Sequence, residues 1–114
     1  MTRPSDGTVG LTKSAAISAA SSGDNTLIAA VALKKFKVVS VFLIAAGAVT
    51  VRFEDGAGGT ALTGVMSVGA NGGFVLPYNP DGWFETATVN TLLNMELGGA
   101  VQVSGVMRYV EFVG

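Results

Sequence analysis

The segment Val49-Thr50-Val51-Arg52-Phe53-Glu54 alternates apolar and polar residues without a break. A period of two sets Val49, Val51 and Phe53 on one face and Thr50, Arg52 and Glu54 on the other, the pattern of a half-buried antiparallel strand. Asp55-Gly56-Ala57-Gly58-Gly59 follows at once and supplies residues that accept the positive φ of a tight turn. Short β runs ended by glycine turns recur along most of the chain. Nearly all of its residues are therefore committed to a sheet scaffold, and few remain for chemistry.

The remaining segments follow the same grammar. Residues 1–12 carry Pro4, Gly7 and Gly10 with Val9 and Leu11 as the apolar anchors, and read as an extended or disordered N-terminal arm. Residues 13–114 read as a single β-sandwich domain, a size that supports one core. Lys13 to Ser22 is expected as an edge strand, Gly23-Asp24-Asn25 as a turn and Thr26 to Val31 as a strand. A long strand is expected from Lys34 to Ala46. In it Phe36, Val38, Ser40, Phe42 and Ile44 share one face, and Val39, Val41 and Leu43 the other. Apolar residues on both faces imply a central strand covered on both sides, or one whose outer face meets a partner.

Thr60 to Val68 is expected as a strand interrupted at Gly64, and Phe74 to Leu76 as a short one. Pro77 to Phe84 reads as a rigid loop, because its two prolines fix φ and lack donors. Phe84 to Thr88 restarts a strand. The alternation of Leu93, Met95 and Leu97 favours strand over a short helix, and Val101 to Phe112 forms the last strand with Gly105 as a bulge. About eight strands with regular turns indicate an all-β fold, an antiparallel jelly-roll-like β-sandwich.

Composition narrows the functional classes. Hydrophobic residues make up 49% of the chain and charged residues 13%, against about 25% charged in an ordinary soluble domain. Either Ser, Thr, Asn and Gly cover the surface, or part of an apolar surface meets another protein. The net charge is −1, and nucleic-acid binding, which rests on neutralising phosphates, is not expected. Lys34, Lys35 and Lys37 form the only basic cluster; they are read as solvating the start of a strand and guarding a sheet edge. The apolar run Val38 to Val49 is shorter than the roughly twenty residues of a membrane helix, so no membrane partner is expected. Met1 to Gly7 lacks the apolar core of a signal sequence, which points to synthesis inside the cell.

The chain has no cysteine and no histidine. That removes disulfides, thiolate nucleophiles, zinc–cysteine sites and the usual general base. Neither a metal nor a cofactor is expected. Glu54 and Asp55, as neighbours on a strand, point to opposite faces and do not converge. The glycine loops 56–59 and 69–73 lack the strand-to-helix context and the lysine of a phosphate loop, and no calcium loop is present. Asp81 and Glu85 flank Trp83 in the manner of a sugar-binding ring with carboxylates, but an Asp-Gly turn beside a core tryptophan is the preferred reading. An enzyme is not expected.

Several stretches taken together resemble the small head decoration, or cement, proteins and related virion structural proteins of tailed bacteriophages. They are Ser22-Gly-Asp-Asn-Thr-Leu-Ile-Ala-Ala-Val, the lysine-led strand from Lys34, and Ala48-Val-Thr-Val-Arg-Phe. Gly59-Thr-Ala-Leu-Thr-Gly, Asn71-Gly-Gly-Phe-Val-Leu-Pro-Tyr-Asn-Pro and Gly82-Trp-Phe-Glu-Thr add to these, as do Val101-Gln-Val-Ser-Gly and Arg108-Tyr-Val-Glu. The likeness spans Ser22 to Glu111. It implies a non-enzymatic protein made in the host cytoplasm and carried on the outer surface of the capsid, where it bridges subunits of the major capsid protein. A homo-oligomer, a dimer before a trimer, would cover the second apolar face of the long strand.

If such an interface exists, Tyr78, Trp83 and Phe84 are of the residue types that serve as anchors. The preferred alternative is that Trp83 and Phe84 plug one end of the sandwich. Arg3, Leu11 and Lys13 of the arm are second-rank contacts. The competing function is a phage tail or carbohydrate-binding β-sandwich module that uses the Trp83 loop.

Overall fold

The computed structural model describes residues 12–113. They form ten strands and no helix: β1 (Thr12–Ala19), β2 (Gly23–Ile28), β3 (Lys34–Ala45), β4 (Val49–Asp55), β5 (Thr60–Ala61), β6 (Met66–Val68), β7 (Gly73–Leu76), β8 (Phe84–Glu85), β9 (Leu93–Leu97) and β10 (Val103–Val113). The first sheet runs β1-β10-β3-β7, with β8 also on β3; the second runs β2-β9-β4-β5, with β6 also on β4. Every pairing is antiparallel. β5 and β6 are two pieces laid along β4, and β7 and β8 two pieces laid along β3. The expected arm lies outside the described residues except for Thr12, which pairs with Val110 as the first residue of β1.

One core lies between the sheets. The first contributes Ile17, Phe36, Val38, Val41, Leu43, Val103 and Met107, and the second Ile28, Val51, Phe53, Leu93, Met95 and Leu97. Burial of apolar side chains this large stabilises a fold by roughly 1.5–3 kcal/mol each. The alternation of Val49, Val51 and Phe53 is seen as expected, all three pointing inward. Thr50 and Arg52 are only partly covered, whereas Glu54, on the same outward face, is buried.

β3 departs from simple alternation. Arg108 faces Ser40 but Tyr109 faces Val38, so Val39 is an extra residue, a β-bulge. The bulge reverses the facing of the strand. Phe36 and Val38 point inward before it and Val41, Leu43 and Ala45 after it, while Phe42 and Ile44 are exposed. The single face expected for Phe36, Val38, Phe42 and Ile44 is thereby corrected. The bulge also does not sit at Gly105, which keeps register with both Ile17 and Leu43. Gly105 is instead a point of close approach, where a Cβ would collide with the Phe42 carbonyl oxygen.

Other local expectations are revised. Gly23, Asp24 and Asn25 begin β2 and do not form a turn, because Asn94 accepts the Asn25 N–H at 2.8 Å and holds the segment against β9. The restart after Phe84 spans two residues. β3 is flanked by β10 on one side and β7 and β8 on the other, so its lysines guard no sheet edge; Lys35 lies over the Phe112 ring at 5.9 Å.

Substituting Gly105→Ala forces the Phe42 carbonyl to move and is expected to lower the unfolding free energy by about 2–3 kcal/mol. Urea denaturation followed by circular dichroism measures this; an unchanged midpoint would refute the close-approach role.

Candidate functional site

The outer faces of the two sheets differ in chemistry. On the second sheet, Asn94 is buried at the centre of a polar ladder. Its side-chain amide donates to Asp24 at 2.9 Å and to Glu54 at 2.8 Å, and its oxygen accepts from Asn25 N–H. Arg52 donates to Glu54 and to Glu96. The hydrogen bond to Glu54 raises the pKa of Arg52 above its ordinary value, and the charges of Glu96 and Glu54 act in the same direction against desolvation. This face is thus charged and cross-linked by its own hydrogen bonds, with Arg52 Nε left buried without a partner. Beside it, a concavity of about 350 Å³ is lined by Ala48, Val49, Thr50, Ser67, Val68, Gly98 and Gly99, with no charged side chain.

The outer face of the first sheet is apolar over one half, with Arg108, Lys35, Lys37 and Glu85 on the other. Ala16, Val106, Phe42 and Val75 stand directly opposite one another across β1, β10, β3 and β7. Ile44 occupies the adjoining outward position on β3, opposite Ser104 and Gly73. Phe42, Ile44, Val75 and Val106 are 41–62% exposed, high for side chains that share one patch.

The aromatic loop borders this face, and the bulge holds it there. At the bulge the carbonyls of Val38 and Val39 accept from Trp83 N–H at 2.8 Å and Asn79 N–H at 2.9 Å. Within the loop Asn79 accepts Asp81 N–H on its side chain and Gly82 N–H on its carbonyl. Gly82 has a φ of 82°, and a Cβ there would meet Lys37 Cγ at 2.5 Å. The indole N–H of Trp83 donates to the Pro77 carbonyl at 2.8 Å, which fixes the ring. The prolines and the asparagine thus make a rigid mount.

The loop aromatics separate. Phe84 turns inward and stacks on Phe53 with ring centroids 4.9 Å apart, so it packs against the core. Trp83, one residue earlier, is 43% exposed and Tyr78 is 63% exposed. Trp83 is therefore not the core tryptophan of the preferred reading. Asp81 and Glu85 are exposed as well. Lys13 is on edge strand β1 and pairs with Glu111 at 3.2 Å; Arg3 and Leu11 lie outside the described residues. Sequence reasoning singled out Tyr78 and Trp83 but missed Val75 and Val106, whose exposure depends on the strand order.

Glu54 and Asp55 point to opposite faces, as their adjacency predicts. Asp55 closes the inner end of the sandwich, its Oδ2 accepting Ala87 N–H at 3.0 Å, Thr88 N–H at 3.1 Å and the Thr88 hydroxyl at 3.2 Å. Next to it, the Thr86 hydroxyl accepts Phe36 N–H at 2.9 Å. These contacts anchor the segment after β8 over the core, and its polar residues serve the backbone.

No cluster of three or more acidic side chains among the described residues is placed to hold a metal ion. No described helix is long and apolar enough to cross a membrane. The fold and faces define the class: an all-β protein of two antiparallel sheets with one partly apolar and one charged outer surface. No protein-family model matches the chain, and no curated protein or solved structure matches it.

Replacing Asp55 with Ala leaves the Ala87 and Thr88 amides without their acceptor and is expected to cost about 2–3 kcal/mol. Asp55→Asn, which keeps an acceptor oxygen, is expected to cost less. Urea midpoints of the two variants test the order; equal loss in both would show that charge and not acceptance matters.

Proposed function

We propose that the protein is a non-enzymatic virion structural protein, a head decoration protein that binds the assembled capsid surface and bridges major capsid protein subunits. The observation that carries this reading is the exposed apolar row on the outer face of the first sheet, together with the exposed Tyr78 and Trp83 of the loop between β7 and β8. A protein that staples a shell needs a broad, rigid contact surface, and burial against the shell stabilises it by mass action only once the shell has formed. Strand order lends support. With β5 and β6 taken as one broken strand and β7 and β8 as another, the strand orders of the two sheets support a jelly-roll reading of the fold. Location on the outer capsid surface and manufacture in the host cytoplasm belong to the same proposal.

Quantitative mass spectrometry of purified virions against the major capsid protein is the direct test. A copy number comparable to the capsid subunit is expected. A few copies per particle would transfer the protein to the tail or a vertex, and absence would overturn the reading. Trp83→Ala, at an exposed position outside the core, is expected to weaken capsid binding roughly tenfold or more with little change in stability.

The exposure of Trp83 favours a second reading, a carbohydrate-binding module in which the ring stacks on a sugar flanked by Asp81 and Glu85. Titration with soluble oligosaccharides should then shift tryptophan emission. On the decoration reading no such shift is expected.

A further inference from the structure

We infer that the loop between β2 and β3 is a membrane-surface anchor, which sets an apolar tip into the headgroup layer of a bilayer containing anionic phospholipid. The inference does not rest on the virion reading, because it concerns a different part of the molecule and the isolated chain.

The tip is the run Ala29-Ala30-Val31-Ala32-Leu33, five apolar residues in succession and all exposed. Connecting loops are ordinarily built from Gly, Pro, Asn, Asp and Ser, and a contiguous apolar run in water marks a contact. Val113, opposite Lys34 at the end of β10, is exposed beside it.

The backbone presents this tip at a cost. Leu33 is 67% exposed and has a φ of 66°, in the left-handed region that a bulky side chain avoids. Asn90 holds it there. Its side-chain oxygen accepts the Leu33 N–H, and its own N–H donates to the Lys34 carbonyl at 3.3 Å. Lys34 N–H donates to the Val31 carbonyl at 3.1 Å and closes the turn. Glycine would take this conformation without strain. The leucine side chain adds nothing to the core, so its use lies outside the chain.

Charge selects the partner. Lys34 and Lys35 follow Leu33 directly and, as neighbours on β3, lie on opposite faces of the first sheet. The other charges of this end are engaged locally. Lys13 bonds Glu111 at 3.2 Å, Lys37 stands opposite Glu85, and the buried Asp55 accepts from the Ala87 and Thr88 amides. Lys34 and Lys35 are therefore the cations next to the tip. Apolar residues in front and lysines one step behind match the depth order of a bilayer, acyl chains beneath anionic headgroups. A protein partner fits less well, because a standard interface takes about 800 Å² from each side, which one short loop with three alanines does not supply. The contact is interfacial and needs no spanning segment.

Flotation of the full chain with phosphatidylcholine vesicles containing about 30% phosphatidylserine, at about 0.1 M salt, tests this. Binding is expected, with partition onto pure phosphatidylcholine roughly tenfold weaker. Leu33→Gly relieves the backbone and removes the side chain, so the urea midpoint is expected to rise while vesicle partition falls about fivefold or more. Lys34→Glu with Lys35→Glu is expected to abolish the preference for phosphatidylserine. Val75→Ser, on the outer face of the first sheet, should leave partition unchanged. Circular dichroism checks that each variant is folded. A wild type that does not float with the phosphatidylserine vesicles, or partition that survives both Leu33→Gly and the lysine pair, would overturn the inference. So would a chain that ignores vesicles but loses capsid binding on Leu33→Gly, which would assign the tip to a protein.

Discussion

β3 has to satisfy β10 along one edge and both β7 and β8 along the other, while feeding large side chains to the core over its whole length. Strict alternation cannot do this with the residues present. Without an extra residue, either Phe36 and Val38 or Val41, Leu43 and Ala45 would face water. The bulge at Val39 resolves the conflict by re-phasing the strand once, and the rest of the sheet is built around that point. Its two carbonyls, freed from regular pairing, become the acceptors that hold Asn79 and Trp83. A single inserted residue thus orders the core, turns Phe42 and Ile44 outward and positions the aromatic loop.

The polar interior follows a different logic. Asn94, Glu54 and Asp55 are buried at 0%, 1% and 8% exposure; Asn94 and Glu54 bond to each other across β9 and β4, and Asp55 Oδ2 accepts from the segment after β8 while its Oδ1 has no partner. A buried polar group without partners costs more than its hydrogen bonds return, so these positions are tightly specified. The Asn94 amide accepts and donates across β2, β9 and β4 at once. Asp55 does the equivalent for the segment after β8. The second sheet is accordingly held together by directed polar contacts as well as by apolar packing, and its outward charges are already engaged.

Strand existence was largely legible in the sequence. The alternation of Val49 to Phe53 and of Leu93 to Leu97, with glycine turns between, located β4 and β9, and the small-residue run at Lys13 located edge strand β1. Facing was harder to read. Nothing in Lys34 to Ala45 marks Val39 as the inserted residue, because valine is ordinary on either side of a bulge. Gly105 carried the more familiar signal of a bulge but serves close approach to a carbonyl. The Gly23-Asp24-Asn25 segment has turn chemistry, yet Asn94, distant in sequence, recruits it into a strand. Tyr78 and Trp83 could be singled out by residue type alone. Val75 and Val106 could not, since their neighbourhood with Phe42 arises only when β10, β3 and β7 lie side by side.

The unlike outer surfaces divide the chemistry of the molecule. One broad side carries the exposed row Ala16, Val106, Phe42 and Val75, whereas the other carries Arg52 bonded to Glu54 and Glu96. The exposed apolar row and the bonded charges therefore lie on opposite sides of the molecule. A chain with 49% hydrophobic residues and few charges thereby segregates its surface chemistry by strand order, and a contact to one side leaves the chemistry of the other unchanged.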